Sequence, residues 1–170
     1  MNTLAIVLST LGTVCICAPS LLKGKNMKLI LLLVFLANFF VAVSYVLTGA
    51  YNGAVSCGVG AVQAIINYFF ERKNKALPVW LVAIYALAFT VVNLLAFARI
   101  ADLIALAACL TFVMCIGQKS GKKYRIWTMI NAGLWAAYDL TSLSFGPFCT
   151  HLIQLGMAFF GMVIHDKKGK

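Results

Sequence analysis

The sequence predicts an all-α membrane protein, with seven transmembrane helices arranged as two parallel three-helix bundles joined by a linker helix, a 3+1+3 plan. Three observations predict it. The composition is too apolar for a soluble core: 63% of the 170 residues are hydrophobic and 11% charged, where globular domains run about half apolar and a quarter charged. Apolar runs of membrane-crossing length alternate with short basic loops. A polar pattern also occurs twice: Asn38, Tyr45, Thr48 and Gly53 return in the same order and spacing as Asn131, Tyr138, Thr141 and Gly146.

A helix rises about 1.5 Å per residue, so about 20 apolar residues cross the hydrocarbon core. The first run, Leu4–Leu22, has no positive segment ahead of it and carries its charge behind, at Lys23 and Lys25. A secretory signal has the reverse pattern, and "LGTVC" lacks the small residue a lipobox wants before its cysteine, so this run is an uncleaved helix. Leu29–Thr48, Ala54–Phe70, Leu77–Phe97, Ile100–Gly117, Ile126–Ser142 and Pro147–Ile164 bring the runs to seven. The break between the fourth and fifth is the short stretch "ARIAD". Pro78 and Pro147 stand at helix starts, where the missing N–H costs nothing.

Fourteen basic residues against four acidic ones give a formal charge of +10. Nucleic-acid binding is one use of such an excess. Here the bases fall in short clusters between apolar runs, so they read as loop charges facing lipid headgroups, and no nucleic-acid partner is expected. Lys23, Lys25 and Lys28 occupy the first loop, Arg72, Lys73 and Lys75 the third, and Lys119, Lys122, Lys123 and Arg125 the fifth, while Lys167, Lys168 and Lys170 lie in the tail. Seven crossings put thirteen of the fourteen bases on one side, leaving Arg99 on the other. Fusing the fourth and fifth runs would move two clusters across. The positive-inside rule therefore selects seven crossings, N-terminus outside and C-terminus cytoplasmic.

The repeated pattern lies in the second helix and its turn to the third, then in the sixth helix and its turn to the seventh. Both third members end in a basic segment, "ERKNK" at Glu71–Lys75 and "DKKGK" at Asp166–Lys170. The units are 1–75, a first three-helix repeat, 76–98, a linker helix, and 99–170, a second three-helix repeat. Two adjacent odd-numbered units would insert upside down relative to each other. The linker restores the orientation and makes the repeats parallel, related by an axis along the membrane normal.

Six cysteines, Cys15, Cys17, Cys57, Cys109, Cys115 and Cys149, lie in or beside apolar runs, where cysteine behaves as a small hydrophobe. Six free thiols are expected, with a Cys57–Cys149 bridge as the alternative. The sequence has no GxxxxGK[ST], HExxH, GxSxG or paired-carboxylate motif. No metal or cofactor is expected, and the thin supply of His, Asp and Glu argues against an intramembrane enzyme.

Candidate functional residues are the polar side chains inside the runs. Asn38 and Tyr45 are two helical turns apart, as are Asn131 and Tyr138, so each pair shares a helix face. A mid-membrane amide needs a partner. Either the asparagines line a cavity between the two bundles, or they bond neighbouring helices within each bundle. For the tyrosines the alternative is an aromatic belt. Gln63, Gln154 and Asn67 are further amides, facing a central pathway or packing helices together. Trp135 stacks on a ring-shaped ligand or faces lipid. Trp80 and Trp127 sit near helix ends, as belt residues do. Asp139 is the one acid well inside a run, and intramembrane acids are functional hypotheses. His151 lies across a short hairpin from it, making the pair a proton-site candidate, with snorkelling of Asp139 to the interface as the alternative. Gly58, Gly60 and Ala64, and then Gly156 and Gly161, read as small-residue packing faces.

The segments "LANFFVAVSYVLTGAYNGAVSCGVGAVQAIINYFFERK" and "GKKYRIWTMINAGLWAAYDLTSLSFGPF" resemble the YgjV-type bacterial inner membrane proteins. The overall layout is similar to the SWEET and PQ-loop class of small-solute transporters. These resemblances imply a bacterial plasma-membrane location and a small-solute transporter or facilitator with a central site. Its partners would be the bilayer, a small polar solute of unknown identity and, as in many proteins of that class, further copies of itself. The chain departs from the class in two ways. Pro19 is followed by Ser20 rather than Gln, and the second, fifth and sixth helices hold no hinge proline. The alternative is a non-transporting membrane protein: a partner subunit, chaperone or sensor.

Overall fold

The computed structural model describes residues 3–22, 26–49, 51–143 and 145–166. Lys23, Lys25, Lys167, Lys168 and Lys170 lie outside the described residues. Among the described residues the chain is helix and turn throughout: α1 (Thr3–Cys17), a 3-10 turn (Ala18–Leu21), α2 (Met27–Thr48), α3 (Tyr51–Arg72), α4 (Val79–Leu95), α5 (Asp102–Ile116), α6 (Gly121–Thr141) and α7 (Phe145–Asp166).

Among the described residues, four helical spans are long and apolar enough to cross a membrane: Thr3–Leu21, Met27–Thr48, Gly53–Arg72 and Pro147–His165. Helices α4 and α5 are apolar but shorter, at 17 and 15 residues. Helix α6 has the length but carries Lys122, Lys123, Arg125 and Asp139. Between 17% and 28% of the residues in the four spans are buried. Such outward-facing apolar surface requires a lipid solvent, because water would not tolerate it in one contiguous belt.

The helix ends follow from local chemistry. Gly49 closes α2 in the left-handed region, φ 76°, where glycine has no Cβ to clash. Pro78 precedes α4 in extended backbone, and its carbonyl takes the N–H groups of Leu81 and Val82. The Asp102 carboxylate accepts the N–H groups of Ala98 and Arg99 at 2.8 and 2.9 Å, which separates α5 from α4. Pro19 has no N–H to give a continuing ladder, and α1 tightens into its 3-10 turn there.

Packing is sequential. Helix α2 lies between α1 and α3, and α6 lies between α5 and α7. Helix α4 touches α3 and α5, and the ring closes where α1 and its 3-10 turn meet α7. One core gathers Ile30 and Val34 of α2, Ile116 of α5 and Tyr124 of α6. A second joins Leu81, Tyr85 and Phe89 of α4 to Cys109 and Val113 of α5. Helix direction alternates, so described residues Lys28, Arg72, Lys73, Lys75, Lys119, Lys122, Lys123 and Arg125 gather at one end, the basic end, and Arg99 stands at the other. All six cysteines are free.

Two expectations need correction. Arg125 does not face headgroups: it is 1% exposed, and its Nη1 donates to the Leu22 carbonyl at 3.0 Å. A helix stripe of Tyr124, Arg125, Thr128, Asn131 and Ala132 turns it inward. The glycines also divide. A Cβ on Gly60 would fall 2.7 Å from Asn38 Oδ1, and one on Gly161 would overlap the Ser20 carbonyl, so both are close approaches. Gly58 and Gly156 have nothing within 4 Å of that position and do not pack tightly.

Candidate functional site

Helix α3 presents a stripe of Gly60, Gln63, Asn67 and Glu71, spaced three or four apart and so stacked on one face, and Lys75 follows just beyond the helix end. The stripe runs from mid-helix to the basic end, and the α5 backbone lies against it. Gln63 Nε2 reaches the Val113 carbonyl at 3.5 Å, and Asn67 Nδ2 donates to the Ile116 carbonyl at 3.0 Å. The Tyr85 hydroxyl of α4 donates to Asn67 Oδ1 at 3.3 Å. Gln63 is fully buried, and its Oε1 has no hydrogen-bond partner among the described residues. An unpaired buried amide oxygen costs about 1–3 kcal/mol of desolvation, which selection tolerates where the atom has another use.

Asn67 is also the inner wall of a cleft at the basic end, lined with Glu71, Lys75, Gln118 and Lys119. Its volume of about 20 Å³ is room for roughly one water. The other mid-helix neighbour of the stripe is Asn38. Its Nδ2 bonds the Val34 carbonyl of its own helix at 2.9 Å, and its Oδ1 lies against Gly60. Asn131 behaves differently: its Nδ2 leaves its own helix for the Ala108 carbonyl at 2.6 Å and Thr111 Oγ1 at 3.2 Å, both on α5. Gln154 is buried on the α7 face that also carries Ala158 and Gly161.

The end opposite the basic one holds Asp139 and His151, with Asp102 and Arg99 nearby. His151 Nδ1 lies 2.6 Å from Asp139 Oδ2, with side chains 22% and 7% exposed. The Trp135 ring stacks on the imidazole, centroids 5.9 Å apart and planes 14° from parallel. Tyr45 of α2 comes within electrostatic reach of Asp139, and Gly53 leaves room for its ring. Tyr138 donates to Asp102 Oδ1 at 3.3 Å, and Arg99 lies over its ring at 5.5 Å. Arg99 pairs with Asp102 at 3.5 Å and reaches the Thr141 carbonyl and the Ser142 hydroxyl. Its contact with the Tyr138 hydroxyl, more than the nearby Asp102 charge, raises the guanidinium pKa above its ordinary value, against a smaller opposing effect of burial. The Thr48 and Thr141 hydroxyls make one matching bond, each to the carbonyl of the tyrosine three residues earlier, at 3.2 and 2.7 Å.

A profile described as bacterial inner membrane protein, Imp-YgjV, matches residues 4–168. The chain belongs to that family. No curated protein and no solved structure matches it. The Imp-YgjV membership agrees with the apolar spans and places the protein in a bacterial inner membrane.

The candidate residues therefore fall into two groups in this Imp-YgjV protein. Gln63, Asn67 and Asn38 share the α3 seam with α5. Asp139, His151, Trp135, Tyr45 and Tyr138 share the opposite end. Asn131 and Gln154 join neither group directly. Sequence reasoning missed Tyr85 and the buried Arg125. The signal for Arg125 was its place on the inward stripe of α6, one turn before Thr128.

Proposed function

We propose that the protein is a small-solute transporter or facilitator whose path runs along the seam between α3 and α5. The observation that carries the reading is the α3 stripe. It brings polar atoms from the basic end to mid-membrane and ends on an acceptor, Gln63 Oε1, that no group among the described residues satisfies. A solute bearing hydroxyl or amine donors supplies the missing partner. Asn67 and Asn38 Oδ1 flank it above and below. The amide contacts to Val113 and Ile116 hold the seam shut, and rocking of one three-helix unit against the other opens it. The carrier would use seven crossings in the 3+1+3 plan, with units 1–75, 76–98 and 99–170. The basic end would be cytoplasmic, the N-terminus outside, and copies of the chain could assemble side by side. Support for this orientation comes from the single cation, Arg99, at the far end among the described residues. The reading involves no chemical conversion of the solute.

A second reading, a non-transporting partner subunit, chaperone or sensor, draws on one observation. Asn38 and Asn131 are bonded inside their own three-helix units.

Thiol accessibility separates the two. In a cysteine-free background, single Asn67→Cys, Gln63→Cys and Asn131→Cys proteins meet a membrane-impermeant thiol reagent in inside-out vesicles. The transporter reading expects rapid labelling at 67, slower labelling at 63 and none at 131. Protection of 67 and 63 alike means a sealed seam and removes the reading. Labelled positions then serve a protection screen against sugars, amino acids and vitamins.

A further inference from the structure

We propose that Asp139 and His151 form a proton-binding site open to the far end of the bundle, and that its loading is the ion-coupling step of the carrier. The coupling rests on the transport reading above; the site itself does not.

The pair is built to take one proton. An ionised carboxylate only accepts hydrogen bonds, so at 2.6 Å from Asp139 Oδ2 the His151 Nδ1 carries the hydrogen. That leaves the lone pair on Nε2. The imidazole is the more exposed partner, 22% against 7%, so the arriving proton adds to Nε2 from far-end water. The N–H bond formed there changes the pair from a net charge of −1 to zero. Nothing else need move. Trp135 offers its π-face to the same imidazole at 5.9 Å, an arrangement that accommodates a cation.

The charge arithmetic is what makes this a switch. Inside a bilayer a net charge is costly, and a neutral hydrogen-bonded ion pair much less so. The unprotonated pair holds the α6–α7 hairpin against water, and the protonated pair can be occluded. Among the described residues, the surroundings do not supply a competing charge. From α2 comes the Tyr45 phenol, with Cys57 of α3 beside it. From α6 comes Tyr138, which is engaged with Asp102 at the start of α5. Arg99 and Asp102 pair with each other. On α7 the neighbouring thiol is Cys149, which is exposed. Helix α1 brings no titratable side chain to this end among its described residues.

Trp135 makes the site readable. In purified protein with Trp80→Phe and Trp127→Phe, Trp135 is the remaining indole, and a protonated imidazole stacked on it quenches its emission. Emission is followed between about pH 5 and 8, where imidazole changes charge. The expected result is a single transition, brighter at high pH, that is altered in Asp139→Asn and lost in His151→Gln. Flat emission, or a transition that survives His151→Gln, overturns the site. Should the variants unfold, ¹⁵N-histidine NMR of the His165→Gln chain reads the His151 ring with the pair intact, and a ring that keeps one charge state across that range overturns it equally. Coupling is read separately, in pyranine-loaded proteoliposomes offered the same solute panel. Solute uptake that moves no protons overturns the coupling and leaves the site standing. Absence of uptake for every solute removes the carrier reading and the coupling with it, while the Trp135 titration still decides the site.

Discussion

Replacing Gly161 with alanine tests the closest backbone approach at any of the described glycines. The new Cβ would overlap the Ser20 carbonyl oxygen and lie 3.0 Å from its carbon and 3.2 Å from Arg125 Cδ. The obstacle is mainly backbone, which cannot rotate aside, so α7 must withdraw from the 3-10 turn. Overpacking of this kind costs about 1–3 kcal/mol, and backbone overlap belongs at the upper end. Withdrawal also stretches the bond from His165 Nε2 of α7 to the Leu21 carbonyl at 2.8 Å, and the new Cβ crowds the Arg125 side chain of α6, whose Nη1 reaches the Leu22 carbonyl at 3.0 Å. Alanine's helix propensity returns about 1 kcal/mol. The net expectation is a loss of about 2–3 kcal/mol, or a melting point lower by roughly 5–10 °C for a chain of this size. Unfolding is followed by circular dichroism in detergent. Gly156→Ala is the control: nothing lies within 4 Å of its Cβ position, so it should leave stability unchanged or raise it by up to about 1 kcal/mol. A Gly161→Ala protein that melts with or above the parent would refute the close approach of α7 to the 3-10 turn.

Three further outcomes are expected. Asn131→Ala should cost more than Asn38→Ala in the same unfolding assay, about 1–2 kcal/mol against about 0.5, because Asn131 alone ties two helices together; equal losses would contradict the bonds to Ala108 and Thr111. Gln63→Met removes the unpaired oxygen together with the long 3.5 Å bond to the Val113 carbonyl, so stability should stay within about 1 kcal/mol of the parent, while solute protection at position 67 disappears; a loss above about 2 kcal/mol would mean Oε1 already has a partner. Arg99→Gln should barely move the unfolding midpoint at low salt and not at all at high salt, since the pair with Asp102 is solvent-facing; a salt-independent loss would show that Arg99 is needed as a structural tie.

The helices were the most readable part of the sequence. Continuous apolar runs announced α2, α3, α4 and α7 to within a few residues. Helix α6 begins at Gly121, five residues before the apolar run starts at Ile126. Its first turns carry Lys122, Lys123 and Arg125, which apolarity alone reads as loop. The first run reads as one helix to Leu22, yet Pro19 converts its end to a 3-10 turn. Within the candidate sites, the meeting of Asp139 and His151 could be foreseen from the shortness of the hairpin between them. The reach of Gln63 and Asn67 to particular α5 carbonyls could not, because it depends on how α3 and α5 rotate against each other. The two asparagines of the repeated pattern illustrate the same limit. Identical spacing gave them the same helical address, and their neighbours gave them different partners.

The bonds that Leu21 and Leu22 accept from His165 and Arg125 span 144 and 103 residues of chain. Ribosomes deliver this chain from its N-terminus, so Leu22 waits until α6, the fifth further helix, has begun, and Leu21 until α7, the sixth, is nearly complete. The first half must therefore persist in the bilayer with that edge open, and the ring is sealed in one late, long-range step. Maturation should be abrupt, with protease resistance rising only once α7 docks, and variants at Gly161 or Arg125 should accumulate as inserted but unsealed protein open to quality-control proteolysis.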